Sequence, residues 1–168
     1  MLREQISRCE QMLAAVEKEM EARRMGIALT PEEQLEVFGS GYNPQWADEA
    51  EQRWGDTPAY QESQRRVATY TKQDWLAISA EAKAITEEFA EAMNAGVPAG
   101  DPRAMELAER HRLHISQWFY ECGHEMHQGL AEMYVSDPRF TKNYDDVAPG
   151  LARYVRDAVL ANAARAAG

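Results

Sequence analysis

The most constraining feature of this sequence is a repeated signal for helix starts. A Thr, Asn or Asp that can cap a helix is followed by a proline, which fits the first helical position, at 30–31, 43–44, 57–58, 101–102 and 137–138. No run shows the alternating β-branched pattern of a strand. The sequence therefore predicts an all-α chain with helices at 2–24, 31–38, 44–54, 58–69, 72–95, 102–134, 138–145 and 150–166.

The first predicted helix carries a narrow apolar seam. Its apolar residues alternate at spacings of four and three, as the a and d positions of a coiled coil do: Leu2, Ile6, Cys9, Leu13, Val16 and Met20. Because such a seam cannot form a core alone, we expect residues 1–24 to be a dimerisation helix that makes the chain a homodimer. A terminal helix packed on its own domain is the alternative.

The remaining chain, 25–168, divides by helix length. Isolated helices shorter than about 12 residues are marginal in water, so 25–70 is predicted to be a soft half and 71–168 a stable half of one domain. The soft half is rich in aromatic residues, and Phe38, Trp54 and Tyr60 are the candidates for a lid over a ligand. The alternative is that these aromatic side chains simply pack on the long helices.

Charge and composition exclude several classes of protein. The chain has 28 acidic and 18 basic residues, a net charge of −10, which is unsuited to direct contact with nucleic acid. No apolar run approaches the ~18 residues of a membrane span, and the first residues do not form a secretion signal. Two distant cysteines are typical of cytosolic thiols. We expect a cytoplasmic protein that contacts neither membrane nor nucleic acid.

All four histidines and Cys122 lie between residues 111 and 127, so a metal site has to be tested. Neither the spacing of a zinc motif nor H-E-x-x-H is present. On a continuous helix, His124 and His127 also point away from Cys122 unless Gly123 breaks the helix. We therefore predict no metal and no cofactor. A metal or redox sensor based on the thiol or the histidines stays as an alternative that metal analysis can decide.

Cys122 itself has two interpretations. On a continuous helix it lies in an apolar stripe that includes Trp118, Phe119 and Met126, and a free cysteine in such a stripe is usually a core residue. Its neighbours Glu121 and Glu125 disfavour a thiolate. Because no phosphate loop or nucleophile elbow is present either, the pattern predicts no enzyme.

Five long runs resemble the TipAS antibiotic-binding domain, the C-terminal effector half of thiostrepton-induced, MerR-like transcription regulators. The resemblance covers 25–168, and residues 1–24 look like the end of the antiparallel dimerisation helix that precedes this domain. The runs are MGIALTPEEQLEVFG (25–39), EQRWGDTPAYQESQRR (51–66), YTKQDW (70–75), FYECGHEMHQGLAEMYVSDPRF (119–140) and APGLARYVRDAVLANA (148–163).

The resemblance implies a globin-like helical fold that binds thiopeptides and similar bulky peptide-like antibiotics in a deep cleft. In thiopeptide binders, the cysteine of a Y-x-C-x-x-E-M-H motif adds to a dehydroalanine of the drug, and residues 120–127 match that motif. Cys122 is therefore implied to be a covalent anchor that opens onto an apolar crevice. His111, Trp118, Phe119 and Met126 are the expected wall of the crevice.

The expected function is thus drug binding, either to sense an antibiotic for a transcription regulator or to sequester it. Contact with DNA would require a helix-turn-helix domain that this chain does not contain. A structural dimerisation module, in which the coiled coil is the working part, is the alternative from another class.

Overall fold

The computed structural model describes residues 2–24, 29–39, 43 and 45–168. Within these residues the chain forms nine α-helices and no strand, which confirms the all-α prediction. None of these helices is long and apolar enough to span a membrane. The helices are α1 (Leu2–Arg24), α2 (Pro31–Phe38), α3 (Gln45–Trp54), α4 (Pro58–Val67), α5 (Lys72–Asn94), α6 (Pro102–Trp118), α7 (His124–Ser136), α8 (Pro138–Asp145) and α9 (Leu151–Ala167).

Side-chain caps account for the helix starts. At α2, the Glu33 N–H donates to Thr30 Oγ1 over 3.2 Å and the Thr30 N–H donates to Glu33 Oε2 over 3.0 Å, a complete capping box. At α6, Asp101 Oδ1 accepts from the Arg103 N–H over 2.9 Å. The predicted starts that fall on described residues agree with the structure to within one residue, and α7 was not predicted as a separate helix. The predicted start at Pro44 and the seam side chains of Leu2 and Met20 lie outside the described residues.

The prediction of one helix over 102–134 is wrong. It is two helices, α6 and α7, separated by the segment Phe119–Gly123, which we call the α6–α7 linker. Helix α6 ends where the Phe119 N–H donates to the Ile115 carbonyl over 2.9 Å, and Gly123 is the N-cap of α7. Hydrophobic periodicity continues through the linker, and no proline marks the break. Positions around a continuous helix, including the predicted stripe beside Cys122, therefore do not apply.

The chain forms two compact units, 1–79 (unit 1) and 80–168 (unit 2), with the boundary inside α5. In unit 1, the buried Trp75 ring meets the edges of two aromatic rings, Phe38 at 5.3 Å and Tyr70 at 5.9 Å between centroids. Lys72 Nζ lies 2.5 Å from Glu36 Oε2, an ion pair between α5 and α2. These contacts join the short α2 to the start of α5.

Helix α1 presents the predicted seam to solvent within the single chain. All its side chains from 3 to 16 are exposed, and the seam residues Ile6, Leu13 and Val16 are 53%, 60% and 51% exposed. A large apolar side chain gains about 1.5–3 kcal/mol when it is fully buried, so this exposed row favours a partner surface.

In unit 2, α9 packs against α6, α7 and α8, and α7 also packs against α8. Phe89, from α5, and three α9 residues, Leu151, Val155 and Val159, are almost completely buried in this core. The Tyr154 hydroxyl donates to the Val97 carbonyl over 2.9 Å, which ties α9 to the loop after α5. The α6–α7 linker thus lies within a unit whose helices share one packed core.

Candidate functional site

Side chains of α6 hold Cys122 on the α6–α7 linker by its backbone. The Cys122 N–H donates to Ser116 Oγ over 3.0 Å, and Arg112 Nη1 donates to the Cys122 carbonyl over 2.7 Å. The Cys122 Sγ lies 3.8 Å from the Gly123 carbonyl oxygen. Because both backbone groups are bonded to α6, the cysteine has a fixed position although it lies outside a helix.

The thiol is not open to solvent, contrary to the expectation of a thiol facing a crevice. Cys122 is 0% exposed. Burial raises the pKa of the thiol to about 11, while the Arg112 cation lowers the pKa and Glu109 raises it. At neutral pH the thiol is therefore almost entirely protonated. A ligand can reach Sγ only after the surrounding side chains move.

Arg112 belongs to a chain of polar contacts that runs to α9. Its Nε donates to Glu109 Oε2 over 3.0 Å, and its Nη2 donates to Glu109 Oε1. Asn162 Nδ2 also donates to Glu109 Oε2 over 2.8 Å, and Arg165 Nη2 donates to Asn162 Oδ1 over 2.7 Å. The hydrogen bond from Arg112 is the main reason that the pKa of Glu109 falls to about 2. The ion pair is thus anchored from two helices.

Two histidines of the predicted cluster form a direct pair. His111 Nδ1 lies 2.8 Å from His127 Nε2, so one ring donates a hydrogen bond to the other. Burial lowers the pKa of His111 to about 4 and that of His127 to about 3, which keeps both rings neutral at neutral pH. Among the described residues, no group of three or more His, Cys, Asp and Glu is placed to hold a metal ion.

Tyrosines of α7 and α8 lie beside the histidine pair. The Tyr134 ring meets the His111 ring edge-on with centroids 6.1 Å apart, and its centroid is 5.0 Å from that of Tyr144. Burial raises the pKa of Tyr134 well above its ordinary value and that of Tyr144 to about 12. His111, predicted as a wall residue, therefore contacts an aromatic cluster of unit 2.

The end of α6 is held against α5 by one carboxylate. Glu81 Oε2 accepts from Trp118 Nε1 over 2.8 Å and lies 3.0 Å from His114 Nδ1. The Phe119 ring meets the His114 ring edge-on, with centroids 6.4 Å apart. Two predicted wall residues, Trp118 and Phe119, are thus fixed where the linker begins.

The other predicted site residues lie further along the chain from the linker. Met126 is in the first turn of α7 and is 41% exposed. Phe38, Trp54 and Tyr60, the predicted lid, belong to three different helices of unit 1, namely α2, α3 and α4. The lid role of these three residues stays a prediction.

Sequence reasoning missed the residues that hold Cys122. Arg112 and Ser116 lie four residues apart and therefore share one face of α6. Their contact with the linker can be inferred only once the helix is known to end at Trp118, because on a continuous helix the chain would not turn back toward them. The one available signal was Gly123, directly after the cysteine, because glycine disfavours a continuing helix. Nothing in the sequence pointed to Asn162.

Comparison with known proteins finds relatives along nearly the whole chain. Residues 46–162 match the family described as the TipAS antibiotic-recognition domain. The HTH-type transcriptional activator TipA of Streptomyces coelicolor is 52% identical over 165 residues, which are 98% of this chain and 65% of TipA. The HTH-type transcriptional activator mta of Bacillus subtilis is 33% identical over 115 residues, 68% of this chain and 44% of mta. The chain therefore spans less than two thirds of the length of either relative.

A solved structure is similar over most of the chain. It is TipAS of Streptomyces lividans in complex with nosiheptide, from a thiopeptide antibiotic multidrug resistance system, with a TM-score of 0.78 and 51% identity. The similarity covers 84% of this chain and 99% of that one. The helical, globin-like fold that the resemblance implied is therefore shown.

Proposed function

This chain belongs to the TipAS antibiotic-recognition family, and from that premise we propose that it binds thiopeptide-like antibiotics at a site around Cys122. The observation that carries the proposal is the 51% identity to TipAS, whose structure is that of a complex with nosiheptide. TipA is named a transcriptional activator, which supports a role as the drug-sensing part of a regulator. Such a role implies a cytoplasmic location and DNA contact only through a helix-turn-helix domain. The second possible role is to sequester the drug, which requires the same binding.

The proposed anchor is the Cys122 sulfur, which adds to a dehydroalanine of the antibiotic. A bond forms between Sγ and the terminal carbon of the alkene, the π bond breaks, and the thiol proton ends on the adjacent carbon. Since burial raises the pKa of this thiol to about 11, a free thiolate contributes little. The reaction then depends on the drug being held in contact with the thiol, which can replace much of the chemical activation. The outcome is stoichiometric capture rather than catalytic turnover.

The proposed wall consists of His111, Trp118, Phe119 and Met126. Aromatic and apolar side chains bind the azole rings of a thiopeptide through burial and stacking. Trp118 is held by Glu81, so its ring is already oriented, whereas the exposed and flexible Met126 can adapt to different drugs.

Intact mass spectrometry after incubation with thiostrepton tests the anchor. We expect the parent protein and Cys9→Ala to gain the mass of one drug molecule, and Cys122→Ala to gain none. Cys9 is a matched control because it is the other cysteine and is exposed. An adduct on Cys122→Ala would refute the assigned residue. If thiostrepton changed neither the mass nor the melting temperature of the parent, the proposal of thiopeptide binding would be wrong.

The lid is proposed to be Phe38, Trp54 and Tyr60, on short helices that become more ordered when a drug fills the space beside them. We expect Trp54→Ala to weaken thiostrepton binding to a Cys122→Ala background, in which only reversible binding is measured. Trp46→Ala is the matched control, since it removes the same ring from the same helix at a 40% exposed position. Equal losses in the two variants would contradict the lid assignment.

Residues 1–24 are proposed to form the homodimer contact. The exposed seam residues Ile6, Leu13 and Val16 would be covered by the same helix of a second copy. Sedimentation velocity should show a dimer that Leu13→Glu converts to a monomer. Ala15→Glu, an equally acidic change at an exposed position beside the seam, should leave the dimer intact. A dimer that survives Leu13→Glu would place the contact elsewhere.

A further inference from the structure

We propose that Arg112 and Glu109 together set the reactivity of Cys122. Arg112 is the positioning residue, which fixes the cysteine backbone and places a cation beside the thiol. Glu109 holds Arg112 in this geometry and opposes the effect of its charge on the thiol. The inference rests on the proposed thioether chemistry for its biological meaning, but it concerns the thiol itself and can be measured without any antibiotic.

The hydrogen bonds of Arg112 carry the argument. Two of its nitrogens donate to the two carboxylate oxygens of Glu109, and Nη1 donates to the Cys122 carbonyl over 2.7 Å. A planar guanidinium can serve both partners at once, which a lysine ammonium cannot do with the same geometry. The Arg112 and Glu109 side chains are only 17% and 29% exposed, so solvent screens their charges incompletely.

The two charges act on the thiol in opposite directions. Arg112 lowers the pKa of Cys122 and Glu109 raises it, on top of the increase caused by burial. Two other titratable groups face the thiol, Tyr120 on the linker and Tyr134 on α7, and burial raises the pKa of both, that of Tyr120 to about 12. Both tyrosines are therefore neutral in the physiological range.

Groups from the neighbouring helices act on the ion pair rather than on the thiol. His124 and His127 of α7 both face the ion pair, and Asn162 of α9 donates to the Glu109 carboxylate. Arg165 reaches the pair only through Asn162. The balance between Glu109 and Arg112 therefore determines the charge that the thiol experiences.

A thiol beside a cation that is paired with a carboxylate is less reactive toward small electrophiles and oxidants than a thiol beside an unpaired cation. A nearby uncompensated cation stabilises the thiolate, which small electrophiles and oxidants attack. Burial keeps the thiol protonated, and Glu109 adds to this effect by opposing the Arg112 cation, so the thiol reacts when a ligand is held against it. Specificity then comes from contact with the drug rather than from intrinsic reactivity.

Alkylation by iodoacetamide, in which the thiolate displaces iodide, tests the inference. Rates are measured by intact mass between about pH 7 and pH 9.5 in a Cys9→Ser background, so that Cys122 is the one remaining thiol. We expect Glu109→Gln to raise the rate and Arg112→Gln to lower it. A pKa change of one unit should change the rate about threefold, because the gain in thiolate exceeds the loss in nucleophilicity.

Two further variants make the result specific. Arg112→Lys keeps the charge and should restore part of the rate that Arg112→Gln loses. Glu106→Gln removes the same charge from an exposed position on α6 and should alkylate as the parent does at every pH. Loosening of the linker would raise the rate in both Glu109→Gln and Arg112→Gln, and that outcome overturns the proposal. Equal rates in all variants, or rates that do not depend on pH, also overturn it.

A parallel incubation with thiostrepton separates this inference from the proposed function. If the alkylation rates follow the expected order but no thiostrepton adduct forms, the covalent part of the proposed function fails and the inference stands. If the adduct forms and the alkylation rates are equal, the inference fails alone.

Discussion

The buried histidine pair predicts a loss of stability in mild acid. His111 Nδ1 and His127 Nε2 are 2.8 Å apart, and burial holds the two pKa values at about 4 and about 3, against an ordinary value of 6.5. In the unfolded chain both rings take up protons as the pH falls through 6.5, while in the folded chain they do not. The unfolded state therefore binds more protons, and the free energy of unfolding decreases as the pH falls from about 6.5 toward 4.

The expected loss of stability depends mainly on how the two histidines titrate in the unfolded chain. Between pH 7.5 and pH 5.5, a histidine that stays neutral in the folded state and titrates near 6.5 in the unfolded state costs about 1 kcal/mol of stability. Since both folded-state pKa values lie well below 5.5, both histidines contribute fully. The pair should therefore cost about 2–3 kcal/mol over this interval.

Urea unfolding followed by far-UV circular dichroism at the two pH values measures this cost. The parent is compared with the double variant His111→Gln/His127→Gln, in which every other titratable group is retained. The parent should lose about 2–3 kcal/mol more than the double variant between the two pH values. Any effect of the substitutions that does not depend on pH cancels in this comparison. If parent and variant lose the same free energy, the two rings are protonated in the folded protein and the reasoning is refuted.

Three further substitutions test contacts that stabilise the individual units. Phe89→Ala should lower the free energy of unfolding by about 3–5 kcal/mol in urea titrations, because the ring is 1% exposed in the core of unit 2. Glu81→Ala should make the Trp118 indole N–H exchange with solvent about fivefold faster by NMR, the effect of losing a hydrogen bond worth about 1 kcal/mol. Thr30→Ala removes the capping box and should therefore lower the stability of α2 by about 1 kcal/mol. Hydrogen exchange of the first amides of α2 should become faster, and unchanged exchange would contradict the capping role.

The helix starts could be predicted from the sequence because their causes are local. A capping side chain such as Thr30 bonds to an amide three residues away, and proline at the first helical position needs no partner beyond its own backbone. The break at Phe119–Gly123 has another origin. It depends on Arg112 and Ser116, which satisfy the Cys122 backbone, and the hydrophobic pattern does not encode these contacts.

For the candidate site, the sequence predicts only the residues that belong to the family motif. The family resemblance directed attention to Cys122, whose role in binding stays a prediction, whereas its burial and its link to Glu109 through Arg112 depend on the folded chain. Asn162 donates to Glu109 from a position 53 residues away, and sequence separation of that kind leaves no periodic signal. The histidine pair likewise joins residues of two helices that a continuous helix would have kept apart.

The anchoring of Cys122 has a consequence for protein engineering. The side chains that bond its backbone, Arg112 and Ser116, both precede it within the same short stretch of chain, 112–123. A designer who wishes to transfer a buried thiol onto another helical scaffold could therefore move one contiguous peptide, the helix end together with its turn. The recipient would need to supply little more than an apolar cover and an acidic partner for the guanidinium.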